Sequence, residues 1–280
     1  MSNLSRRNFI KGALSVGVMP LVAYASIEKE TLRFIHITDS HMDIGDSDSI
    51  EAMELMSSFI NTNYKDLDFV LFGGDNFNNN IKGDDDALVF KTIIEKLHCP
   101  SFVVRGNKES SPKPIGDEIG EDEFKKLFMD NKKLKISNND WLIELKGFNI
   151  LGLDSCINNA NNGRYTESTM QFAEKTLQNK KPTIILNHHP YTNYWGGTEK
   201  KDIHKYVLNN SDEVQRRLFK YENLILTLSG HKHIDSVKEL HHAKCIVTRG
   251  FVRPLDLDMY PMRYVEITGN SISEKLIYTS

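Results

Sequence analysis

Short apolar runs alternate with amphipathic stretches through most of this 280-residue chain. Residues 32–39, LRFIHITD, read as a buried strand, and residues 49–60 place Met53, Met56 and Ile60 at helical spacing. A second apolar run, DFVLFGGD (68–75), precedes a helical stretch with Phe90, Ile93, Ile94 and Leu97 on one face. Aspartates open that stretch, at the positive end of the helix dipole. SFVVRGN (101–107) is a third strand. This βαβαβ order predicts a largely parallel sheet.

Beyond it, an acidic helix is expected over 121–129. Two strands follow within 141–154, around the Lys146-Gly147 turn. A helix starting near Ser168, with Gln171 completing a capping box, buries Met170, Ala173 and Leu177. TIILNHH (183–189) and LILTLSGHKH (224–233) read as strands, separated by a polar, aromatic loop over 190–210 that has room for a short helix. SVKEL, KCIVTR, RYVEIT and EKLIYT predict an antiparallel tail. No Pro/Gly/Ser linker divides residues 26–280, which read as one α/β domain. The nearest thing to a low-complexity tract is NNANNG (158–163), short enough to be a loop.

The N-terminus departs from this pattern. SRRNFIK (5–11) leads into an uncharged run ending Ala23-Tyr24-Ala25, the layout of a secretory signal. The run is too short to span a bilayer, and Pro20 interrupts it. The paired Arg6 and Arg7 resemble a twin-arginine signal. That implies recognition by the twin-arginine export machinery, cleavage after Ala25, a periplasmic or otherwise exported product and no stable membrane anchor after cleavage. Loss of residues 1–25 would take the formal charge from −3 to −6, because Arg6, Arg7 and Lys11 leave and no acid does. A surface that acidic argues against a nucleic-acid polymer as partner, while one local cationic centre suffices for a small anion. Cys99, Cys156 and Cys245 form no CxxC pair, so neither a disulfide framework nor a zinc-thiolate site is expected; a single disulfide stays open.

Five of the strands end in polar residues able to bind metal. They close on Asp39-Ser40-His41, Gly74-Asp75-Asn76, Gly106-Asn107, Asn187-His188-His189 and Gly230-His231-Lys232-His233. Ligands of open parallel sheets bind beyond the carboxyl ends of the strands, so these segments are expected to converge on one edge. Two carboxylates, one amide oxygen and several imidazoles suit borderline metals of the Mn, Fe, Co, Ni or Zn type. They are too many for one ion with an open position. They fit two ions sharing a bridging carboxylate, an arrangement suited to hydrolysis of phosphoesters.

In this order the motifs DSH, GGD, GNKE, HHP and GHKH resemble the calcineurin-like metallophosphoesterases. LGLDS (151–155), GRYTESTMQF (163–172) and NHHP (187–190) are similar to the bacterial branch that includes cyclic-nucleotide phosphodiesterases. The resemblance implies a β-sandwich of mixed sheets flanked by helices. It also implies two divalent or trivalent metal ions, of the Mn, Fe or Zn class. Carried over by motif, Asp39, His41 and His233 hold one ion; Asn107, His188 and His231 hold the other; Asp75 bridges. The implied activity is hydrolysis of a small phosphodiester, or a phosphomonoester, by metal-activated hydroxide. His189 matches no ligand position and is expected beside the ligands or at the surface. Asp154 is expected either to orient an imidazole or to close a strand-end turn.

The departure is Lys108, where much of the family has histidine. A lysine supplies positive charge to phosphoryl oxygens but is a weaker general acid. It is taken as the candidate catalytic residue, against the alternative that it turns outward to pair with Glu109. The alternative function is a metal- or phosphate-binding protein whose turnover went with the histidine. Tyr191, Tyr194, Trp195, Arg253, Tyr260 and Arg263 are looser candidates for substrate contact, equally well read as loop or core residues.

Overall fold

A computed structural model describes residues 30–78, 85–110, 119–192, 205–251, 259–269 and 271–279. The proposed signal segment, along with Tyr194, Trp195 and Arg253, lies outside the described residues. In chain order the elements are β1 (Thr31–Ile37), α1 (Ser47–Asn63), β2 (Phe69–Phe72), α2 (Asp85–Ile94), β3 (Ser101–Val103), α3 (Asn107–Ser110) and α4 (Glu121–Phe128). They continue with β4 (Lys135–Ser137), β5 (Asp140–Leu145), β6 (Phe148–Gly152), α5 (Glu167–Leu177), β7 (Thr183–Leu186), α6 (Ser211–Leu218) and β8 (Leu224–Ser229). The last four are β9 (Ser236–Leu240), β10 (Ala243–Val247), β11 (Pro261–Thr268) and β12 (Ser271–Tyr278).

The strands form two mixed sheets rather than one largely parallel sheet. One has the order β12-β11-β1-β2-β3, the other β4-β5-β6-β7-β8-β10-β9. β1, β2 and β3 run parallel, as do β6, β7, β8 and β10. The tail is therefore not a simple antiparallel meander. β10 lies parallel to β8, while β11 inserts beside β1 in the other sheet.

Side chains alternate across each strand, and both faces of β1, β2, β6, β7 and β8 are largely buried, which explains why those runs look uniformly apolar. From β1, Phe34 points between the sheets, stacking on Phe69 in the cluster that also holds Phe102, Trp141, Ile184 and Leu226. Its neighbour Ile35 points outward onto Met53, Met56, Ile60 and Phe90 of α1 and α2. On the far face of the second sheet, Leu151 and Ile185 pack under Met170, Ala173 and Leu177 of α5 and Val214 and Leu218 of α6. The layers are thus helices, sheet, sheet, helices. Trp141 ties the sheets together, buried at 1% exposure with Nε1 donating to the Val103 carbonyl at 2.9 Å.

α5 begins earlier than the sequence suggests. Thr166 is the cap, its hydroxyl accepting from Thr169 N–H at 3.1 Å. Gln171 instead reaches Glu167 at 3.1 Å. α6 and the three-residue β4 have no counterpart in the sequence reading. α6 buries only Val214 and Leu218, too few apolar positions to stand out.

Candidate metal centre

The candidate ligands come together, but where two sheets meet rather than on one sheet edge. Asp39 and His41 follow β1, Asp75 follows β2, and Asn107 opens α3 just past β3. His188 follows β7, while His231 and His233 follow β8 in the opposite sheet. The loops are laced by backbone. Asp39 N–H donates to Gly74 O at 2.9 Å, His41 N–H to Asp75 O at 2.9 Å, and Gly230 N–H to His188 O at 3.0 Å. The close approach explains two glycines. A Cβ at Gly106 would run into the Asp75 backbone and carboxylate, and one at Gly230 into Thr38 Oγ1 and the Asp39 carboxylate. Asp39, His41, Asp75, His231 and His233 all have positive φ, between 44° and 67°. Side chains rarely adopt that backbone region without a structure that enforces it.

Glu109 is one such enforcer. It faces inward, 3% exposed, instead of outward beside Lys108. Its two oxygens accept from four backbone N–H groups: Asn76 at 2.6 Å, Phe77 at 3.2 Å, Asp75 at 3.1 Å and Gly106 at 2.6 Å. One carboxylate so pins the loops after β2 and β3 to each other. Burial, with Asp75 close by, pushes its pKa up to about 7.

The far ring nitrogens explain how the imidazoles point. His188 Nδ1 faces Gly73 O at 2.9 Å, His231 Nε2 faces Lys205 O at 2.8 Å, and His41 Nδ1 faces Asn78 Oδ1 at 3.2 Å. Each of these oxygens is an acceptor, so each far nitrogen carries the proton and the near nitrogen of the neutral ring carries a lone pair. Those lone pairs converge. His188 Nε2 lies 3.2 Å from His231 Nδ1, 3.1 Å from Asn107 Oδ1 and 3.5 Å from Asp75 Oδ1. His41 Nε2 lies 3.1 Å from His233 Nε2 and 3.6 Å from Asp75 Oδ2, and His233 Nε2 is 3.1 Å from Asp39 Oδ1. Acceptors packed this closely require a cation or a proton between them. Asp75 reaches both sets, one oxygen each.

Charge follows the same logic. Burial would raise the Asp75 carboxyl, but His188, His41 and His231 hold it well below the usual carboxylate range. Burial lowers His188, yet Asp75 and Asp39 outweigh it and push the imidazole up to about 9. His231, buried and beside His188, is pushed down to about 4. Burial lowers His233 too, but its hydrogen bond to Asp39 raises it above the usual imidazole range, so without an ion His188 and His233 are the groups that offset the carboxylates.

His189 is buried, not at the surface. It lies within ligand distance of His188 and His231, but both its nitrogens are engaged. Nδ1 meets Ser155 Oγ at 2.8 Å, and that hydroxyl accepts from His189 N–H at 3.2 Å; Nε2 meets Asn161 O at 3.1 Å. Among the described residues Asp154 has no hydrogen bond or ion pair to an imidazole. It pairs with Arg105 Nη2 at 2.5 Å and closes a turn by accepting Cys156 N–H at 3.0 Å. Lys108 is half-buried, its backbone N–H donating to Asp75 Oδ1 at 2.7 Å. Its ammonium is near enough to His41 to help depress that pKa, behind burial, the largest cause. Tyr191 is core, its hydroxyl 2.7 Å from that of Tyr165, and Tyr260 stacks on Phe251. Arg263 is buried in ion pairs with Asp235 and Glu274. All three cysteines are free thiols. Asn78, which orients His41, and Thr38, whose hydroxyl donates to Asp39 Oδ2 at 2.8 Å, were missed in the sequence, where neither carries a spacing signal.

Two helix-flanked mixed sheets with Asp, Asn and His converging at their carboxyl edges define a metallophosphoesterase fold. Residues 32–235 match the model of the calcineurin-like phosphoesterases, and the chain belongs to that family, which is metal-dependent. It is 27% identical over 168 residues to a probable glycerophosphodiester phosphodiesterase of Arcobacter nitrofigilis, covering 59% of this chain and 56% of that relative's length. It is 24% identical over 207 residues to a probable cyclic nucleotide phosphodiesterase of Coxiella burnetii, covering 72% of this chain and 73% of that one. Among solved structures, a dimetal phosphatase from Danio rerio superposes with a TM-score of 0.64 at 12% identity, over 89% of this chain and 99% of that one, a likeness of fold.

Proposed function

We propose that this chain is an exported phosphodiesterase working with two metal ions. The observation that carries the reading is the Asp75 carboxylate, whose oxygens reach toward His188 on one side and His41 on the other. Asp39, His41 and His233 would hold one ion, Asn107, His188 and His231 the second, with Asp75 between them. When bound, such ions activate water and offset charge on a phosphoryl group. The chain's own residues do the rest. His231 and His41 present unprotonated nitrogens because Lys205 and Asn78 hold their other N–H groups, and His188, its Nδ1–H held by Gly73, would present Nε2 once its second proton is displaced. Glu109 keeps the Asp75 and Asn107 loops in register. Lys108, half-buried and close enough to His41 to act on it, would offer its ammonium to the non-bridging oxygens. Water adds across a P–O ester bond: a new P–O bond forms, the old one breaks, and the departing alcohol ends with the proton.

A diester is favoured over a monoester for two reasons. Two of the relatives above carry phosphodiesterase names. A lysine in place of histidine keeps charge stabilisation while weakening proton donation, which favours leaving groups that need little acid help. Export rests on the Arg6-Arg7 segment, and N-terminal sequencing of the protein from cell fractions checks it. A cytoplasmic product beginning at Met1 would count against export.

The deciding experiment is hydrolysis of bis-p-nitrophenyl phosphate by the chain supplied with Mn²⁺. Turnover should vanish with chelator, and Asp75→Asn should lower kcat/KM more than roughly a hundredfold. Absence of metal-dependent turnover above the Asp75→Asn variant would favour the non-catalytic binding protein.

A further inference from the structure

The asparagine-rich segment 158–163 is not a detached surface loop. Cys156 and Gly163 bridge its base, and Arg164 N–H donates to Ser155 O at 2.8 Å. Asn159, at φ 63°, donates its N–H to Ser110 O at 2.8 Å and so docks the loop on α3, the element that begins with Asn107. Asn161 then makes two contacts with the site. Its main-chain oxygen meets His189 Nε2 at 3.1 Å, and its side-chain oxygen accepts from Asn107 Nδ2 at 3.4 Å.

The second contact bears on Asn107. The two ends of a carboxamide are nearly identical in shape, and only the oxygen end binds a cation. What surrounds each end decides which one faces the carboxylates and imidazoles. Here Oδ1 is turned toward His188 Nε2, and Nδ2 toward Asn161. We propose that Asn161 is a positioning residue of the metal centre: its side-chain oxygen captures the Asn107 amide nitrogen and so presents the Asn107 oxygen to the ion. This rests on the two-metal reading above. An asparagine suits the task because it accepts from Asn107 without adding charge there, and because its backbone carbonyl separately holds His189. The side chain can therefore be removed without undoing the loop.

The test is direct titration of the metal-stripped full chain with Mn²⁺ alone, followed by calorimetry. The native chain should take up two equivalents. Asn161→Ala should weaken one of them by about 10- to 100-fold, the range for partners that orient a metal ligand, and leave the other within about threefold. Asn161→Asp keeps an acceptor oxygen and should bind both no worse than about threefold below native. Asn161→Ala binding both equivalents as the native chain does would overturn the role. So would equal losses in the two variants, since the acceptor would then be irrelevant. A native chain that takes up fewer than two equivalents would instead overturn the two-metal reading, and this role with it.

Discussion

Lys108 is where the chain departs from the pattern it otherwise follows. An ammonium beside the cluster should stabilise charge on a phosphoryl group without being a good proton donor. Lys108→Ala is expected to lower kcat/KM by roughly tenfold to a hundredfold. Lys108→His should narrow the gap between substrates with good and poor leaving groups, read from a series of substituted aryl phosphodiesters. A loss within about twofold in the alanine variant, ~0.4 kcal/mol on the transition-state scale, would place the ammonium away from the phosphate. His188 sets a second expectation. Its pKa near 9 in the metal-free protein means that it is protonated at neutral pH. A metal must displace that proton, so affinity should rise with pH until about 9. Binding near pH 7.5 should release about one proton from this site, measured as the dependence of calorimetric heat on buffer ionisation enthalpy. The sign for folding is the reverse. The folded pKa lies above the unfolded 6.5, so this imidazole's contribution to metal-free stability is complete below 6.5 and fades as pH rises through 9.

Among the elements, the loops after β2 and β3 depend on one buried carboxylate. Glu109→Gln would turn an amide N–H₂ toward two backbone donors and should cost about 2–4 kcal/mol, the penalty for buried unsatisfied groups. Urea unfolding in chelator measures this apart from metal binding. The element scale also marks what the sequence made legible. β1, β2, β3, β7 and β8 stood out because both faces of each are apolar and each ends in polar residues. The residues of the candidate metal centre were readable as a group because they sit at those ends. The division into two sheets was not, since a strand's apolar run does not say which sheet it joins. β10 beside β8, and β11 beside β1, are decided by packing across the sandwich. Asn78, Thr38 and Asn161 were invisible for a related reason: each acts through a contact distant in sequence, to His41, Asp39 or Asn107, with no local pattern to announce it.

For the whole molecule, the origin of the ligands matters most. Asp39, His41, Asp75 and Asn107 belong to one sheet, and His188, His231 and His233 to the other. An ion shared between them would act as a clasp across the sandwich, adding to what Trp141 and its neighbours supply. Metal at about a thousand times its Kd should add about 4 kcal/mol to stability. For a chain of this size that is roughly 8–16 °C in Tm, read as the difference between melts in Mn²⁺ and in chelator. The same melts bear on Trp141→Ala, which should cost about 3–5 kcal/mol with or without metal, because its site lies deep between the sheets.

Five residues of the cluster hold a backbone conformation that suits glycine better than aspartate or histidine. Each costs on the order of 1 kcal/mol, and all five lie on one rim, whereas the other positive-φ side chains among the described residues, Asn138, Lys146, Asn159, Lys180 and His241, are spread over separate turns. In landscape terms, frustration is concentrated where the chemistry is. The rim should therefore be the first part of the metal-free protein to open. Amides of residues 39–41, 75 and 231–233 should exchange hydrogen well ahead of those in β1 and β8, and slow toward the strand rate once Mn²⁺ is bound. A chain freed from holding metal would drift toward glycine or asparagine at these positions, becoming more stable as its centre was lost.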